Sequence, residues 1–268
     1  MEKIKWYYPE SIEEAVGLLD DVGNIPHSGG TGIMMRGLKN IKGLVDLSRL
    51  DFETFDVTES EITLGAMLSY AAAAEHMNKF DKEAILSKAL VMSVPPALRN
   101  RITLGGSIGF SPIWSDLIGP LVALRAKVKV IGKNEGIYSI EEFVKSNELK
   151  KQSFVSHIIF AAEKFNSYYY RATRVNFDYS AFNISILSKG SSTIEDIRIV
   201  IHGNTTKFAE LCELEKMVIG KSVSEINLDE LISKVDIEFA DKMMASSAYL
   251  KHLALVELKR GLEQILRG

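Results

Sequence analysis

Near residues 163–168 the periodicity of the chain changes, and that change limits the folds open to it. Upstream, short helical and strand patterns alternate. Downstream, Tyr168 to Val175, Ala181 to Leu187 and Ile194 to Ile201 follow one another as strands, with Lys189-Gly190 at the turn between the last two. This spacing predicts an antiparallel meander. Helical patterns then run over Lys207 to Ile219, Leu228 to Val235 and Ser246 to Leu266. In the last of these, Ala248, Leu255, Leu258, Leu262 and Ile265 form one amphipathic face. Strands followed by a block of helices, behind a mixed region, make an α+β chain with two parts. The expected domains are residues 1–165 and 166–268. At roughly 100–200 residues per domain, 268 residues fit that division.

The first part carries its own punctuation. Ser11-Ile12-Glu13-Glu14 is a capping-box pattern, with Ile12, Ala15, Val16 and Leu19 on one helical face. Strands are expected from Gly43 to Leu47 and from Glu61 to Gly65, and helices over Ser69 to Phe80 and Lys82 to Met92. Pro95 and Pro96 end the second of these helices. A helix over Asp116 to Leu124, a strand around Val128 and Val130, and a second capping box at Ser139 to Glu142 complete the pattern.

Composition excludes several classes. Hydrophobic residues at 46% and charged residues at 25% are globular values, so disorder and fibrous repeats are poor readings. A net charge of −3 lacks the basic excess of a duplex-binding surface, and no nucleic-acid partner is expected. The single cysteine, Cys212, permits neither an internal disulfide nor a four-cysteine metal or iron–sulfur site. Lying in a predicted helix, it is expected to be a buried, inert thiol. No apolar run reaches the ~20 residues of a membrane span, and the N-terminus has no apolar leader region, so a cytoplasmic location is expected.

The best chemical signal is a pair of glycine-rich loops, Ser28-Gly29-Gly30-Thr31-Gly32 and Thr103-Leu104-Gly105-Gly106-Ser107. Glycine lets a ligand approach the main chain, and successive N–H groups in such a turn form an anion-binding nest. Two nests converging would suit a pyrophosphate, with Thr31, Thr103 and Ser107 adding hydroxyl donors. Each glycine pair alone is also what a tight turn needs, so the residues leave both readings open. The common nucleotide motifs fail. Met35 stands where the dinucleotide fingerprint needs a third small residue, and Leu38 where a P-loop needs lysine. The five histidines show no metal-ligand spacing, and no metal is assigned.

With these residues in view, the chain resembles the FAD-binding subunit of the molybdenum hydroxylases, of the xanthine dehydrogenase and carbon monoxide dehydrogenase type. The resemblance runs over essentially the whole length. It is carried by HSGGTGIMMRGLKN with LVDLSRL, by YYYRATRVNFDYSAFNISI, and most specifically by ALRNRITLGGSIGFSPIWSDLIGPLVALRAKVKV. It implies a two-part FAD domain of the vanillyl-alcohol-oxidase type, then a small domain with a three-stranded antiparallel sheet and a helix bundle. It implies FAD with its pyrophosphate between the two loops, held by Ser28, Gly29, Gly30, Thr31 and Gly32 and by Thr103, Leu104, Gly105, Gly106 and Ser107. His27 and Ile33 flank the first loop as further contacts. Asp116 matches an aspartate that bonds FAD hydroxyls, with helix N-capping as its ordinary alternative, and Ile159 lies near an apolar contact to the flavin ring. Ser107 stands where asparagine is usual. Tyr170 stands where many members have lysine, and the neighbouring Arg171 is a substitute source of positive charge. The implied role is electron transfer from iron–sulfur clusters through FAD to an acceptor such as NAD. Separate iron–sulfur and molybdopterin subunits would be the partners. A self-sufficient nicotinamide-dependent dehydrogenase and a cofactor-free assembly module are the alternatives.

Overall fold

The computed structural model describes residues 3–243 and 245–267. In chain order the first elements are β1 (Lys5–Tyr7), α1 (Ile12–Leu19), β2 (Asn24–His27), α2 (Thr31–Arg36), β3 (Gly43–Asp46), β4 (Phe55–Val57) and β5 (Glu61–Gly65). The helices α3 (Tyr70–Phe80), α4 (Ile85–Ser93), α5 (Pro96–Arg99), α6 (Leu104–Phe110) and α7 (Ile118–Ala123) follow. Next come β6 (Lys127–Gly132), β7 (Gly136–Ser139), α8 (Ile140–Lys145) and β8 (Ser153–Ala161). The rest is β9 (Asn166–Arg171), β10 (Asn183–Lys189), β11 (Asp196–Asn204), β12 (Lys207–Glu210), α9 (Cys212–Val218), α10 (Leu228–Ser233) and α11 (Ser247–Arg267).

The chain packs into two units, and the division is not a single cut. The first unit takes the described residues up to His76, then Pro95–Ser111 and Arg125–Glu163. The second takes Met77–Val94, Pro112–Leu124 and the chain from Lys164 onward. Two helical segments from the N-terminal half, containing α4 and α7, therefore belong with the C-terminal elements.

The first unit has two sheets. The parallel one runs β1-β3-β2 and the antiparallel one β4-β5-β8-β6-β7. Ser11 caps α1 by accepting the Glu14 N–H at 3.1 Å. The Glu14 carboxylate reaches back to the Glu10 N–H, one residue earlier than a capping box would place it. The cap aims Ala15 and Leu19 at Val45 of β3, and Phe52 and Phe154 join this core. β8 is the longest of the strands that sequence patterning passes over. It is central, and five of its first six residues are buried, so its apolar residues do not alternate cleanly with polar ones.

The second unit is built on the sheet β12-β11-β10-β9, all antiparallel. This corrects the expected three-stranded sheet. Lys207–Glu210, expected to begin a helix, instead forms a fourth, edge strand. Lys207 takes a left-handed φ of 74°, which turns the chain back along β11, and α9 starts only at Cys212. One sheet face carries Ile184, Ile186, Ile197, Ile199 and Ile201 against Leu250, Ala254, Leu258 and Leu262 of α11. Cys212 is exposed, contrary to expectation, because the inward stripe of α9 is Leu214 and Val218. Among the described residues no helix is long and apolar enough to cross a membrane.

Candidate functional site

The two glycine-rich loops both lie in the first unit, and they touch. The hydroxyls of Ser28 and Thr103 are hydrogen-bonded at 2.8 Å. A Cβ added to Gly29 would lie 1.7 Å from the Arg101 carbonyl oxygen, so only glycine permits the approach of these two chains. Gly30 ends the first turn at φ 75°, the left-handed region, and leads into α2. A Cβ on Gly106 would sit 2.8 Å from Thr103 Oγ1 and 3.0 Å from Ser28 Oγ. The glycines thus keep clear the ground between the two loops. Beyond them, α2 and α6 are clamped together. The Phe110 ring lies 3.2 Å from where a Gly32 Cβ would be, and Arg36 stacks 4.4 Å over that ring while donating to the Phe110 carbonyl.

The loops differ in what they offer a ligand. In the second, the four amides from Leu104 to Ser107 are already used. Leu104 N–H donates to Leu68 O, Gly105 N–H to Ala66 O, Ser107 N–H to Thr103 O and Gly106 N–H to Thr103 Oγ1. In the first, the N–H groups of Ser28, Gly29, Gly30, Thr31, Gly32 and Ile33 have no acceptor among the described residues. Main-chain donors are costly to leave unpaired, and an anion is the ligand that answers a row of them. The first loop is the amide nest. The second contributes hydroxyls and a close, rigid wall.

His27 flanks the nest with its ring fixed. Its Nδ1 lies 2.9 Å from Asp46 Oδ2, and Trp6 packs edge-on at 4.8 Å. Burial alone would raise the Asp46 carboxyl, but hydrogen bonds from Ser48 and the adjacent His27 outweigh it and hold the group below its usual range. Neither Asp46 nor Trp6 stands out in the sequence. Both reach His27 only through the β1-β3-β2 pairing, in which Asp46 is the direct neighbour of His27. Ile33 lies in the first turn of α2, half-buried. Ile159 is half-buried on β8 between Thr63 and Lys127.

The other three expected contacts lie in the second unit. Asp116 and Arg171 form a buried ion pair, with Arg171 Nη2 at 3.0 Å from Oδ2 and Nε at 3.2 Å from Oδ1. Tyr169 donates to Asp116 Oδ1 at 2.6 Å. Burial pushes the Asp116 carboxyl up against the opposing pull of Arg171 and Tyr169. Arg171 also donates to the carbonyls of Met92, Ser93 and Asp178. Asp116 does not cap α7. The Leu117 N–H that follows it goes to Ser115 Oγ. Tyr170 points to the opposite face of β9, where it packs against the apolar core beside Phe182. The strand therefore sends Tyr169 and Arg171, not Tyr170, toward Asp116.

The model for the FAD binding domain in molybdopterin dehydrogenase matches residues 2–161, and the CO dehydrogenase flavoprotein C-terminal domain matches residues 167–265. The chain belongs to this flavoprotein family. It is similar to the glyceraldehyde dehydrogenase medium chain of Sulfolobus acidocaldarius, 25% identical over 84% of each protein. It is also similar to the nicotinate dehydrogenase FAD-subunit of Eubacterium barkeri, 24% identical over 59% of this chain and 58% of that one. Among solved structures it shares the fold of quinoline 2-oxidoreductase from Pseudomonas putida 86, with a TM-score of 0.88 at 18% identity over 99% of this chain and 98% of that one. Carbon monoxide dehydrogenase from Hydrogenophaga pseudoflava gives a TM-score of 0.87 at 20% identity over 98% and 97%. The resemblance read from the sequence, and FAD as the cofactor, are borne out. The chain is an FAD-binding medium subunit of the molybdenum hydroxylase type and part of an oxidoreductase. Its amide nest and glycine-cleared ground fit the anionic bridge of such a cofactor.

Proposed function

We propose that the chain is the electron-transfer subunit of a multi-subunit, xanthine dehydrogenase-like molybdenum hydroxylase. It would stand between iron–sulfur clusters in a partner subunit and an acceptor such as NAD. A further subunit would carry the molybdopterin. The cysteine count supports the division of labour, because Cys212 alone cannot hold a cluster. On this reading the first unit is the two-part, vanillyl-alcohol-oxidase-type FAD domain, which its parallel and antiparallel sheets support.

FAD, when bound, supplies the exchange of one or two electrons. The chain's own residues bind and orient it. The amides from Ser28 to Ile33 hold the diphosphate, with Gly29 and Gly30 giving the turn its shape. The Ser107 hydroxyl adds a donor, as does whichever of the Ser28 and Thr103 hydroxyls accepts in their mutual bond, and Leu104, Gly105 and Gly106 keep the second loop tight against the first. Ile159 offers an apolar wall to the ring. Asp116 and Arg171 serve as a buried pair that fixes β9, and Tyr170 belongs to the core behind it.

The single observation that carries this reading is the Ser28–Thr103 contact beside a row of unaccepted amides. The test is a visible spectrum of the protein as isolated, with mass spectrometry of the small molecule released on denaturation. A flavin spectrum and FAD mass are expected. Gly106→Val should lose the flavin while the second unit stays folded. A yellow Gly106→Val protein would show that the space between the loops is not where the cofactor lies.

A further inference from the structure

The proposed FAD site contains a histidine whose tautomer the fold dictates. Asp46 is held as a carboxylate, and one of its oxygens already accepts the Ser48 N–H at 2.9 Å. A carboxylate only accepts, so the proton between Asp46 and His27 belongs to Nδ1. The ring cannot exchange its two nitrogens without breaking this bond, and Trp6, packed edge-on at 4.8 Å, restricts the turn. The other nitrogen, Nε2, faces the nest, 2.8 Å from where a Gly30 Cβ would stand, and has no partner among the described residues.

In the neutral ring, Nε2 is then a bare lone pair. A diphosphate oxygen is also only an acceptor, so the two repel. In the imidazolium, Nε2–H becomes a charged donor aimed at the nest, and the bond is charge-assisted. We infer that His27 meets the FAD diphosphate only as the imidazolium, so that binding FAD takes up one proton at Nε2. The inference rests on the two-loop site proposed above. From β3, Asp46 is the charged group in contact with the ring. From β1 the neighbour is Trp6, which carries no charge. Arg101, which reaches Gly29 O at 3.4 Å, brings a cation to the loop that does not titrate. The sign follows directly. Raising the pH removes the Nε2 proton and weakens binding.

The test uses the full chain stripped of flavin, with free FAD as the probe. The dissociation constant, read from flavin fluorescence, is measured across about pH 5 to 8, the window in which histidine titrates. It should be lowest at the acid end of that range and rise steadily toward the alkaline end. Calorimetry at about pH 8, where a free imidazole is mostly neutral, in two buffers of different ionisation enthalpy should show up to one proton taken up per FAD, and the uptake should vanish toward about pH 5. His27→Gln, with a fixed amide donor, should bind FAD with no pH dependence. A flat wild-type profile with no proton uptake would overturn the inference, as a neutral Nε2 accepting from a cofactor hydroxyl predicts. The calorimetry needs no variant, so it decides the matter even if His27→Gln does not fold. If Gly106→Val also keeps its flavin, the two-loop site itself has failed. If only the pH response is missing, the site stands and the proton does not.

Discussion

Arg171 is the most heavily committed side chain in the second unit. It joins β9 to the Asp116 carboxylate and to the last carbonyls of α4, and both charges are only 6% exposed. Breaking such a pair by removing one partner strands the other charge in an apolar setting. Arg171→Met should therefore lower the unfolding free energy by about 3–5 kcal/mol, read from the urea midpoint. Asp116→Leu with Arg171→Met removes both charges and should restore most of the loss. Equal loss in the single and double variants would mean that the carbonyl contacts, not the charge pair, carry the stability. His202 gives a second prediction at this scale. It is fully buried, with Nδ1 unpartnered, and burial with the Lys242 and Lys207 charges lowers its pKa to about 3. The unfolded chain takes up the proton near the usual histidine value of about 6.5. Below that value the unfolded state binds more protons than the folded one, so stability falls as the pH drops toward 3. The slope should approach about 1.4 kcal/mol per pH unit in the acid part of that window. His202→Asn should reduce it, as unfolding midpoints at neutral and acid pH will show. An unchanged slope would assign the acid sensitivity to other groups.

Glycine substitutions separate packing from propensity at the scale of the helix. Gly261 lies inside α11, where alanine would ordinarily stabilise by about 1 kcal/mol. Here an added Cβ would meet the Tyr168 ring at 2.5 and 2.6 Å and Ile186 Cδ1 at 2.9 Å. Gly261→Ala should instead destabilise by about 1–3 kcal/mol. Gly17 in α1 has nothing within 4 Å of such a Cβ, so Gly17→Ala should stabilise by about 0.5–1 kcal/mol. Thermal midpoints moving in the same direction for both would discount the Tyr168 contact. The same distinction explains what the sequence discloses. α11 was legible because Leu258 and Leu262 repeat on one face over many turns. The glycine loops were legible because Gly29-Gly30 and Gly105-Gly106 mark places where the backbone must be bare. β12 was not, since four residues paired at a sheet edge carry no period of their own. The Asp46 partner of His27 was also hidden, because β2 and β3 are adjacent in the sheet but separated in the chain by α2 and its loop.

The interleaving of the two units matters most for the whole molecule. The C-terminal family match begins at residue 167, which suggests a domain that stands alone. The packing says otherwise, because the second unit borrows Met77–Val94 and Pro112–Leu124. The face of its sheet opposite the isoleucines is polar, with Asn183 directly paired to His202 and with Ser185 beside them. That face is buried by borrowed chain. Asn183 donates to Ser115 O, Arg198 to Ala123 O, and Arg171 to Asp116, Met92 and Ser93. A fragment of residues 164–268 keeps the isoleucine core but loses every one of these acceptors. Water can satisfy the polar groups, yet the apolar rim around them, including Leu187 and Val200, becomes exposed with them. The fragment should therefore collapse with near-native helix and strand content but without fixed packing. Far-UV circular dichroism should persist, the near-UV signal of its tyrosines should be lost, and urea unfolding should be broad. A sharp transition with native near-UV intensity would show that β9–β12 and α9–α11 are self-sufficient, and that α4 and α7 are guests rather than parts of the core.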